Sequence, residues 1–384
     1  MKPKLRFKAE DGSDFPDWEK MTLGDIGSVA MCKRVFKEQT SSAGDVPFFK
    51  IGTFGSEPDA YISRELFEAL KKNHPYPKNG TVLLSASGTV GRQVVYQGED
   101  AYYQDSNIVW LEHDDSVTDS FLEQFYSVVH WQGLEGSTIK RLYNKTILST
   151  TFYRPSLPEQ HKIADLLSTV DCVIAEQQSE VAAWVQRKKG VMQKLFSQEV
   201  RFKADDGSDF PDWKKKKLGE ICEYGRQRGI GDHYVGTENM LKDFGGITIN
   251  DPEAEASGSL YFQGDTLMSN IRPYLKKAWK ANGNGACSTD VLVFHPTNVE
   301  SDYLHCVIAS DSFVTYVMSA AKGSKMPRGD KTHIMQMPLI LPSLPEQRKI
   351  ADCLSSIDDV IAKEKAELTK WQELKKGLLQ QMFV

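Results

Sequence analysis

The sequence predicts an α+β fold in which two mixed α/β domains are joined by two long antiparallel coiled-coil helices, arranged as a pseudo-twofold internal repeat. Residues 6–24 and 201–219 share 15 of 19 positions, and residues 155–197 and 342–384 share 23 of 43. A period this long indicates a tandem duplication of one large unit rather than a solenoid. The second pair of segments also carries apolar residues at alternating steps of three and four, which is typical of a coiled coil.

Each unit has the same order of parts: an arm with FPDW, a variable block, the hexapeptide PSLPEQ and a helix. The predicted boundaries are residues 1–158 for the first domain with its arm at 1–24, 159–197 for a central helix, 198–345 for the second domain with its arm at 201–219, and 346–384 for a C-terminal helix. The variable blocks show little similarity, which indicates one frame that presents two different surfaces; sequence drift alone is the alternative explanation of the divergence. Since the first arm copies the segment after the first helix, we expect it to pack near the end of the second helix.

PSLPEQ predicts a helix start, because proline is tolerated in the first turn and glutamate favours the positive end of the helix. The apolar seam of the first helix comprises Ile163, Leu167, Val170, Ile174, Val181, Trp184, Val191 and Leu195; that of the second comprises Ile350, Leu354, Ile357, Ile361, Leu368, Trp371, Leu378 and Met382. Polar residues interrupt the two seams at equivalent places. We expect the two helices to pair with each other. The alternative is that each seam packs onto its own block.

Composition excludes several classes of protein. The 47 Lys and Arg against 52 Asp and Glu leave a net charge of −5, which excludes a histone-like basic protein and limits any nucleic-acid surface to local patches. The six cysteines form no CxxC pair, which argues against a zinc site or a disulfide framework. They suit a reducing cytoplasm, the expected location. No run of 18 apolar residues occurs and the N-terminus is polar, so neither a membrane span nor a signal peptide is expected.

The blocks contain comparable predicted elements. Residues 81–96 and 264–279 indicate strand, turn and strand, and 106–112 and 290–296 indicate further strands. Residues 119–134 and 301–319 indicate matching helices, each followed by a polar loop at 136–146 or 322–333. Clustered Arg and Lys in these loops and at 270–280 suit contacts with phosphates and base edges. An ordinary solvated surface is the alternative for each cluster taken alone.

Motifs for chemistry are missing. The sequence contains no GxxxxGK[ST] phosphate loop, no GxSxG elbow, no HExxH pair and no Asn-Pro-Pro-aromatic tetrapeptide. His161 is replaced by Arg348 in the second copy, and the adjacent His305 and Cys306 fit core packing. The duplicated DGSDFPDW is interpreted as a structural turn, capped by Asp14 or Asp209 and anchored by Trp18 or Trp213. No catalytic residue and no metal ligand is therefore assigned.

The chain resembles the specificity subunits of type I restriction-modification systems along essentially its whole length. The resemblance depends on FPDW followed by LGDI or LGEI at the start of each unit, PSLPEQxKIA at the end of each block, and helices that end near RKKGVMQKLF and ELKKGLLQQMF. It implies that the two domains are target recognition domains, each reading one half of a bipartite double-stranded DNA target, with the helices as a spacer that fixes the gap.

The resemblance also implies the partners. Two modification (methyltransferase) subunits would dock on the frame and use S-adenosylmethionine, and restriction (motor-nuclease) subunits would use ATP and Mg. This chain would then be non-catalytic, without a cofactor of its own. The arms differ, since EKMT at 19–22 becomes KKKK at 214–217, which predicts two docking surfaces of unequal strength.

Carried onto this sequence, the resemblance makes the loops after the strand-turn motif and after the last block helix the candidates for DNA contact. The candidates are Ser85, Ser87, Thr89, Arg92, Ser137, Lys140, Arg141 and Lys145 in the first block, and Arg226, Arg228, Asn270, Arg272, Tyr274, Lys276, Lys325, Arg328 and Lys331 in the second. One alternative function is a non-catalytic coiled-coil scaffold whose blocks bind protein. Another is a two-domain hydrolase with an unrecognised site.

Overall fold

The structure is a computed structural model that describes residues 3–131, 141–248 and 256–383. The chain divides into two compact units, unit 1 with Met1–Ser179 and Ala366–Val384, and unit 2 with Glu180–Lys365. Each unit therefore combines one variable block with one end of each long helix. The predicted α+β class, with two mixed blocks and two long helices, is confirmed.

The first block and its arm contain short strands and short helices. Their bounds are β1 (Glu19–Thr22), α1 (Leu23–Ile26), β2 (Gly27–Ala30), β3 (Val46–Phe49), β4 (Tyr61–Ile62), α2 (Arg64–Asn73), β5 (Val82–Ser85), β6 (Gln93–Val95), β7 (Tyr102–Tyr103), β8 (Ile108–His113), α3 (Asp119–Tyr126), α4 (Asn144–Leu148) and β9 (Thr151–Arg154).

Three sheets organise these strands. The main sheet has the antiparallel order β2-β8-β5-β6, and its strands β5 and β8 begin with four consecutive buried residues each, VLLS and IVWL. A second sheet has the order β4-β3-β7, in which β3 and β7 are parallel. The arm strand β1 pairs with β9, the strand that leads into the long helix. The arm and the helix start are therefore joined through one ribbon.

The rest of the chain repeats this plan. Its bounds are α5 (Leu157–Phe196), β10 (Lys214–Lys217), β11 (Cys222–Tyr224), β12 (Arg228–Gly231), β13 (Tyr234–Val235), β14 (Ala256–Tyr261), β15 (Thr266–Ser269), β16 (Ala278–Lys280), β17 (Gly285–Cys287), β18 (Val291–Pro296), α6 (Ser301–Ile308), α7 (Asp311–Ser319), α8 (Lys331–Met335), β19 (Pro338–Leu341) and α9 (Leu344–Phe383). The main sheet is β11-β18-β15-β16, the second sheet is β12-β14-β17-β13, and β10 pairs with β19.

The main sheets have the strands that the sequence predicts, β5, β6 and β8 in the first block and β15, β16 and β18 in the second. The expectation of a single helix over 301–319 is wrong, because α6 ends at Ile308 and α7 begins at Asp311. Ser310 lies between them with extended backbone, and its Oγ accepts the N–H of Phe313, which caps the new helix. In the first block, α3 ends at Tyr126, and residues 132–140 lie outside the described part of the chain.

A buried glutamate fastens the arm to the helix start in unit 1. Glu159 is fully buried in the first turn of α5 and accepts two hydrogen bonds from Arg6, at 3.0 and 2.7 Å. Trp18 Nε1 donates to the same carboxylate at 3.0 Å. The hydrogen bond with Glu159 raises the pKa of Arg6 above its ordinary value. A buried carboxylate requires such partners, because its desolvation is otherwise too costly.

The same arrangement recurs in unit 2. Glu346 is fully buried and accepts hydrogen bonds from Arg201, at 3.0 and 2.9 Å, and from Trp213 at 2.9 Å. We call these two arrangements, Arg6–Glu159–Trp18 and Arg201–Glu346–Trp213, the arm clamps. They explain why Arg-Phe, FPDW and PSLPEQ recur together, and they confirm that Trp18 and Trp213 anchor the arms.

The other residues of PSLPEQxKIA also have structural partners. Gln160 accepts the N–H of Thr118, which caps α3, and Gln347 accepts the N–H of Glu300 before α6, both at 2.9 Å. Lys162 donates to the carbonyl of Lys8 in the arm, at 2.8 Å. The motif therefore attaches both the arm and the block to the first turns of each long helix.

The capping of the arm turn differs from the prediction. Asp11 and Asp206, rather than Asp14 and Asp209, accept the backbone and side-chain groups of the serine two residues later. Asp14 instead forms an exposed ion pair with Lys8. Asp11 lies two residues before the serine, which is the spacing an Asx turn requires.

The long helices pack antiparallel within each unit. In unit 1, Ile163 and Leu167 of α5 share a core with Leu379 and Met382 of α9. The backbone N–H of Leu5 donates to the carbonyl of Gln381, so the first arm packs at the end of the second helix as expected. In unit 2, Leu195 of α5 shares a core with residues of the first turns of α9, Ile350 and Leu354.

Matching ion pairs fix the register of the helices in each unit. Lys375 pairs with Asp171 in unit 1, and Lys188 pairs with Asp358 in unit 2, each at 2.6 Å. Lys188 and Lys375 are equivalent in the repeat, as are Asp171 and Asp358. All sixteen predicted seam residues, from Ile163 to Leu195 and from Ile350 to Met382, are buried or half-buried.

Replacing Arg6 with Leu tests the arm clamp. The change leaves the buried Glu159 without its cation, which costs about 3–5 kcal/mol for a broken buried pair. At the lower end of that cost, the melting temperature of the full chain should fall by roughly 6–12 °C. Lys8→Ala is the matched control, because the ion pair of Lys8 with Asp14 is exposed and contributes about 0–1 kcal/mol. Equal melting temperatures for the two variants would contradict the clamp.

Candidate nucleic-acid interface

The turn between β5 and β6 is held by one buried serine. Ser85 Oγ accepts the N–H of Arg92 at 2.8 Å and donates to the carbonyl of Thr89. Gly91 has positive φ and lies so close to Trp131 that a Cβ there would approach Nε1 to 2.8 Å. The turn is therefore tightly packed, with Thr89 exposed and Ser85 buried.

The other predicted residues of the first block lie around this turn. Ser87 is half-buried and donates to Asn107 Oδ1 at 2.8 Å, while Arg92 donates to the carbonyl of Phe54. Lys145 is exposed on α4. Ser137 and Lys140 lie outside the described residues.

Arg141 joins the second predicted loop to the turn. Ser87 and Arg141 form an isolated antiparallel bridge, and the N–H of Leu142 donates to the carbonyl of Ala86 at 2.8 Å. The guanidinium of Arg141 donates to the carbonyl of Ser106 at 2.8 Å and contacts Asn107 Oδ1 at 3.4 Å. The structure therefore brings together two loops that lie about 50 residues apart in the sequence.

A cleft of about 760 Å³ opens beside Arg141 in the first block. Four cationic side chains line it (Arg34, Lys37, Lys50 and Arg141), together with two acidic ones (Asp59 and Asp105) and several hydroxyl and amide groups. Arg34 pairs with Asp105 at 2.8 Å and Lys50 with Asp59 at 2.7 Å. An excess of positive charge among hydrogen-bonding groups suits the binding of a polyanion that also presents hydrogen-bond donors and acceptors.

Sequence reasoning missed Arg34, Lys37 and Lys50. The repeat contained a usable indication, because the stretch after the first main-sheet strand is basic in both blocks. In the second block this stretch contains Arg226 and Arg228, which the sequence analysis did select. Applying the repeat to the first block would have selected Arg34 as well. Lys50 follows β3 and is near Arg141 only through the tertiary fold.

The equivalent turn of the second block, between β15 and β16, is longer and strained. Arg272 and Lys276 both have left-handed backbone, with φ of 50° and 54°, on either side of the 3-10 turn Pro273–Leu275. Such conformations in residues other than glycine are uncommon and concentrate at functional sites. The turn exposes Arg272 and Tyr274, the latter at 48%.

Two predicted residues of this turn have internal roles in the structure. Asn270 is 9% exposed, and its N–H donates to the carbonyl of Asp290. Lys276 pairs with Asp311 at 2.6 Å. Hydrogen bonds from Lys189 and Lys276 hold the pKa of Asp311 below its ordinary value.

The last polar loop of the second block lies against this turn. Ile271 and Arg328 form an isolated antiparallel bridge, and the N–H of Arg272 donates to the carbonyl of Pro327 at 2.8 Å. Arg328 pairs with Asp290 at 2.8 Å. Gly329 permits the close packing, since a Cβ there would come within 2.7 Å of Val317.

The remaining candidates of the second block are on the surface. Lys325 is exposed in the loop, and Lys331 is exposed at the first residue of α8. Arg226 and Arg228 are exposed after β11 and on β12. In each block the turn that follows a buried main-sheet strand, β5 or β15, is thus bridged to a second loop, and both carry basic side chains.

The family model for the type I restriction modification DNA specificity domain matches residues 16–182 and 211–370, which is most of the chain in two copies. The chain belongs to this family. It is a DNA-recognition subunit of the type I restriction-modification kind, and this membership favours DNA recognition over a protein-binding scaffold.

Individual relatives agree with the family. A putative type I restriction enzyme specificity subunit of Haemophilus influenzae is 53% identical over 146 residues, which span 38% of this chain and 38% of that protein. The type I restriction enzyme MjaVIII specificity subunit of Methanocaldococcus jannaschii is 22% identical, covering 97% of this chain and 94% of its own. The S subunit structure from M. genitalium matches with a TM-score of 0.60 at 17% identity, covering 100% of this chain and 99% of that one, which shows a shared fold.

Within residues 3–131, 141–248 and 256–383, no group of three or more His, Cys, Asp or Glu side chains is placed to hold a metal ion. Among the helices of those residues, none has the length and apolar character needed to cross a lipid bilayer.

Replacing Lys50 with Ala tests the cleft. A lysine that neutralises one phosphate contributes about one unit to the slope of log K against log salt concentration. We expect Lys50→Ala to weaken duplex binding by the full chain and to make this slope shallower by about 0.9. Lys72→Ala is the matched control, because Lys72 is exposed on α2 of the same block and does not line the cleft. Identical slopes for both variants, measured by fluorescence anisotropy, would remove the cleft from the interface.

Proposed function

We propose that this chain is the non-catalytic sequence reader of a type I restriction-modification complex. In this proposal each block reads one half of a bipartite duplex target, and helices α5 and α9 fix the gap between the halves. Modification subunits dock on the frame and methylate adenine, and restriction subunits join them for cleavage. The observation that carries the proposal is the duplicated frame, whose arm clamps are nearly identical while its two basic loop surfaces differ.

The two readers are expected to have different targets. The turn of the first block is a tight glycine turn beside a broad cleft, whereas that of the second is a strained turn carrying Arg272 and Tyr274. Because base edges are recognised by specific donors and acceptors, surfaces this different are expected to read unlike sequences. The proposed target therefore consists of two unrelated half-sites.

The frame is suited to a fixed spacing. Each helix end is held in register by an ion pair, Lys375 with Asp171 or Lys188 with Asp358. The first turn of each long helix holds the block through Gln160 or Gln347 and the arm through a buried ionic contact. A buried contact of this kind resists rearrangement, because separating it leaves a buried charge unpaired. A rigid attachment is what a spacer between two half-sites requires.

The arm ribbons are candidate docking surfaces for the modification subunits, and they differ in charge. Strand β1 has the sequence EKMT, while β10 consists of four lysines, of which Lys214, Lys215 and Lys217 are exposed. We expect the two modification subunits to bind with different affinities and salt dependence, because exposed charges are screened by salt.

The chemistry is assigned to the partners. S-adenosylmethionine is expected in the modification subunits, and ATP and Mg in the restriction subunits. The lack of the corresponding motifs in the sequence supports this division of labour. The contribution of this chain is the choice of site and the placement of the methyltransferase beside an adenine.

Methylome sequencing tests the proposed function. A host carrying this gene with its neighbouring modification gene should show N6-methyladenine in one bipartite motif, and deletion of this gene alone should abolish that motif. A motif that persists after the deletion would contradict the proposal. So would co-purification of the chain with modification subunits that methylate no bipartite motif.

Lengthening the helices tests the spacer. Four residues inserted at facing positions of α5 and α9, with the seam restored, lengthen each helix by about 6 Å. We expect the half-sites to remain the same and the gap between them to change. An insertion into α5 alone is the control and should abolish methylation, because it disrupts the pairing. The same gap with lengthened helices would contradict the spacer role.

A further inference from the structure

Two arginines occupy the same position in the two blocks. Arg141 and Arg328 lie 187 residues apart, the same offset that relates the long helices. Each lies at the end of the loop that leads into the short helix before the arm-paired strand, α4 or α8. The buried isoleucines of these helices, Ile147 and Ile334, have the same offset and confirm the alignment.

Both arginines are joined to the strand-turn loop through the backbone. Arg141 bridges to Ser87, and Arg328 bridges to Ile271. These bridges fix the Cα position of each arginine relative to the main sheet. Otherwise the two loops have little similarity in sequence, so the shared geometry belongs to the frame of the blocks rather than to one target.

Each arginine has a polar partner at the same structural position. Asn107 and Asp290 precede the central strands β8 and β18, and their carbonyls accept the N–H of Ala86 and of Asn270, both at 2.7 Å. The side chain of Asn107 lies 3.4 Å from Arg141 Nη1, and that of Asp290 lies 2.8 Å from Arg328 Nη1. The second block thus has a charged, short contact where the first has a neutral, long one.

These contacts use two of the five N–H groups of Arg141 and one nitrogen of Arg328, so both guanidinium groups retain N–H groups for a ligand. A guanidinium has five N–H groups, and the pair with Asp290 involves Nη1 of Arg328, whose side chain is 55% exposed. Arg141 is half-buried but lines the open cleft. Ser106, which accepts from Arg141 Nη2, itself has left-handed backbone with φ of 60°. Strain of this kind persists where the surroundings hold a functional group in place.

We propose that Arg141 and Arg328 are the equivalent guanine-reading residues of the two blocks, and that Asn107 and Asp290 are the residues that position them. The inference rests on the proposed function and names the specificity-determining side chains of that function. The planar fork of arginine matches the N7 and O6 acceptors of guanine with two parallel hydrogen bonds. A carboxylate that restrains the fork reduces the conformational freedom lost on binding, so the second block discriminates more sharply than the first.

The inference predicts a particular form of the target. Each half-site contains a G·C pair at the position read by its arginine. Preference for that pair depends on the shape of the fork and not only on its charge, because lysine carries the same charge without the fork. A contact with phosphate alone would tolerate lysine and would affect all sequences alike.

The test measures base preference one position at a time. The chain is purified with its modification subunits, and binding is measured to duplexes that carry each base pair at each position of the methylome-defined motif. Arg328→Lys should reduce the preference for one G·C pair of one half-site by roughly 5- to 150-fold, equivalent to about 1–3 kcal/mol. The other half-site is an internal control and should be unchanged. Arg141→Lys should have the reciprocal effect.

The positioning residues are tested by exchanging them. Asp290→Asn should lower the preference at the position that Arg328 reads, while binding to unrelated duplex becomes no weaker, because a negative charge has been removed. Asn107→Asp should sharpen the preference at the position that Arg141 reads. A merely structural role of Asp290 would lower binding to all duplexes and leave the ratio between bases unchanged. The gain expected from Asn107→Asp cannot arise from a folding defect.

Two failures are distinguishable. A wild-type chain that directs no bipartite methylation contradicts the proposed function. A wild-type chain with a clear motif, combined with lysine variants that keep every base preference, overturns the guanine-reading role alone. An equal loss of affinity for every duplex in Arg328→Lys, without change in preference, would identify a contact that reads no base and would also overturn it.

Discussion

In each unit the first turn of a long helix buries a glutamate side chain completely, and an arginine and a tryptophan from the arm satisfy it. The rest of the architecture depends on this contact. The same helical turn holds the block through Gln160 or Gln347. Because an unpaired buried carboxylate is costly, the first turn of each long helix requires its arm. The repeated motifs are therefore the parts of one attachment.

The contact also explains how a linear chain makes two equivalent units. In unit 2 the arm follows α5 directly along the chain, whereas in unit 1 the arm precedes the first block and packs against the end of α9. The two units thus use the same contacts with different connectivity. Equivalent ion pairs, Lys188 with Asp358 and Lys375 with Asp171, extend this symmetry to the helices. Symmetric contacts of this kind give two different blocks the same attachment.

Variation is confined to the loops that the frame supports. The buried strands β5 and β8 of the first block have the same burial patterns as β15 and β18 of the second, while the turns between the sheet strands differ in length, in backbone conformation and in charge. A rigid sheet with variable loops separates stability from recognition, because loop changes do not disturb the buried strands. Arg141 and Arg328 lie between the sheet and the variable loops. Their backbone bridges fix the position of each Cα, and the loop determines the surroundings of the side chain.

The sequence by itself determined the repeat, both long helices, the main-sheet strands and the family, because these depend on local periodicity and on motifs that occur twice. Only the tertiary structure decided which side chains meet. Arg34 pairs with Asp105 and Arg141 contacts Asn107, across 71 and 34 residues, and the interruption at Ser310 depends on a local cap that an apolar pattern does not reveal. Loop conformation follows from long-range contacts, and the repeat aligns positions such as Arg141 and Arg328 without specifying what each side chain contacts. The frame was therefore predictable from the chain, and the reading surface required the fold.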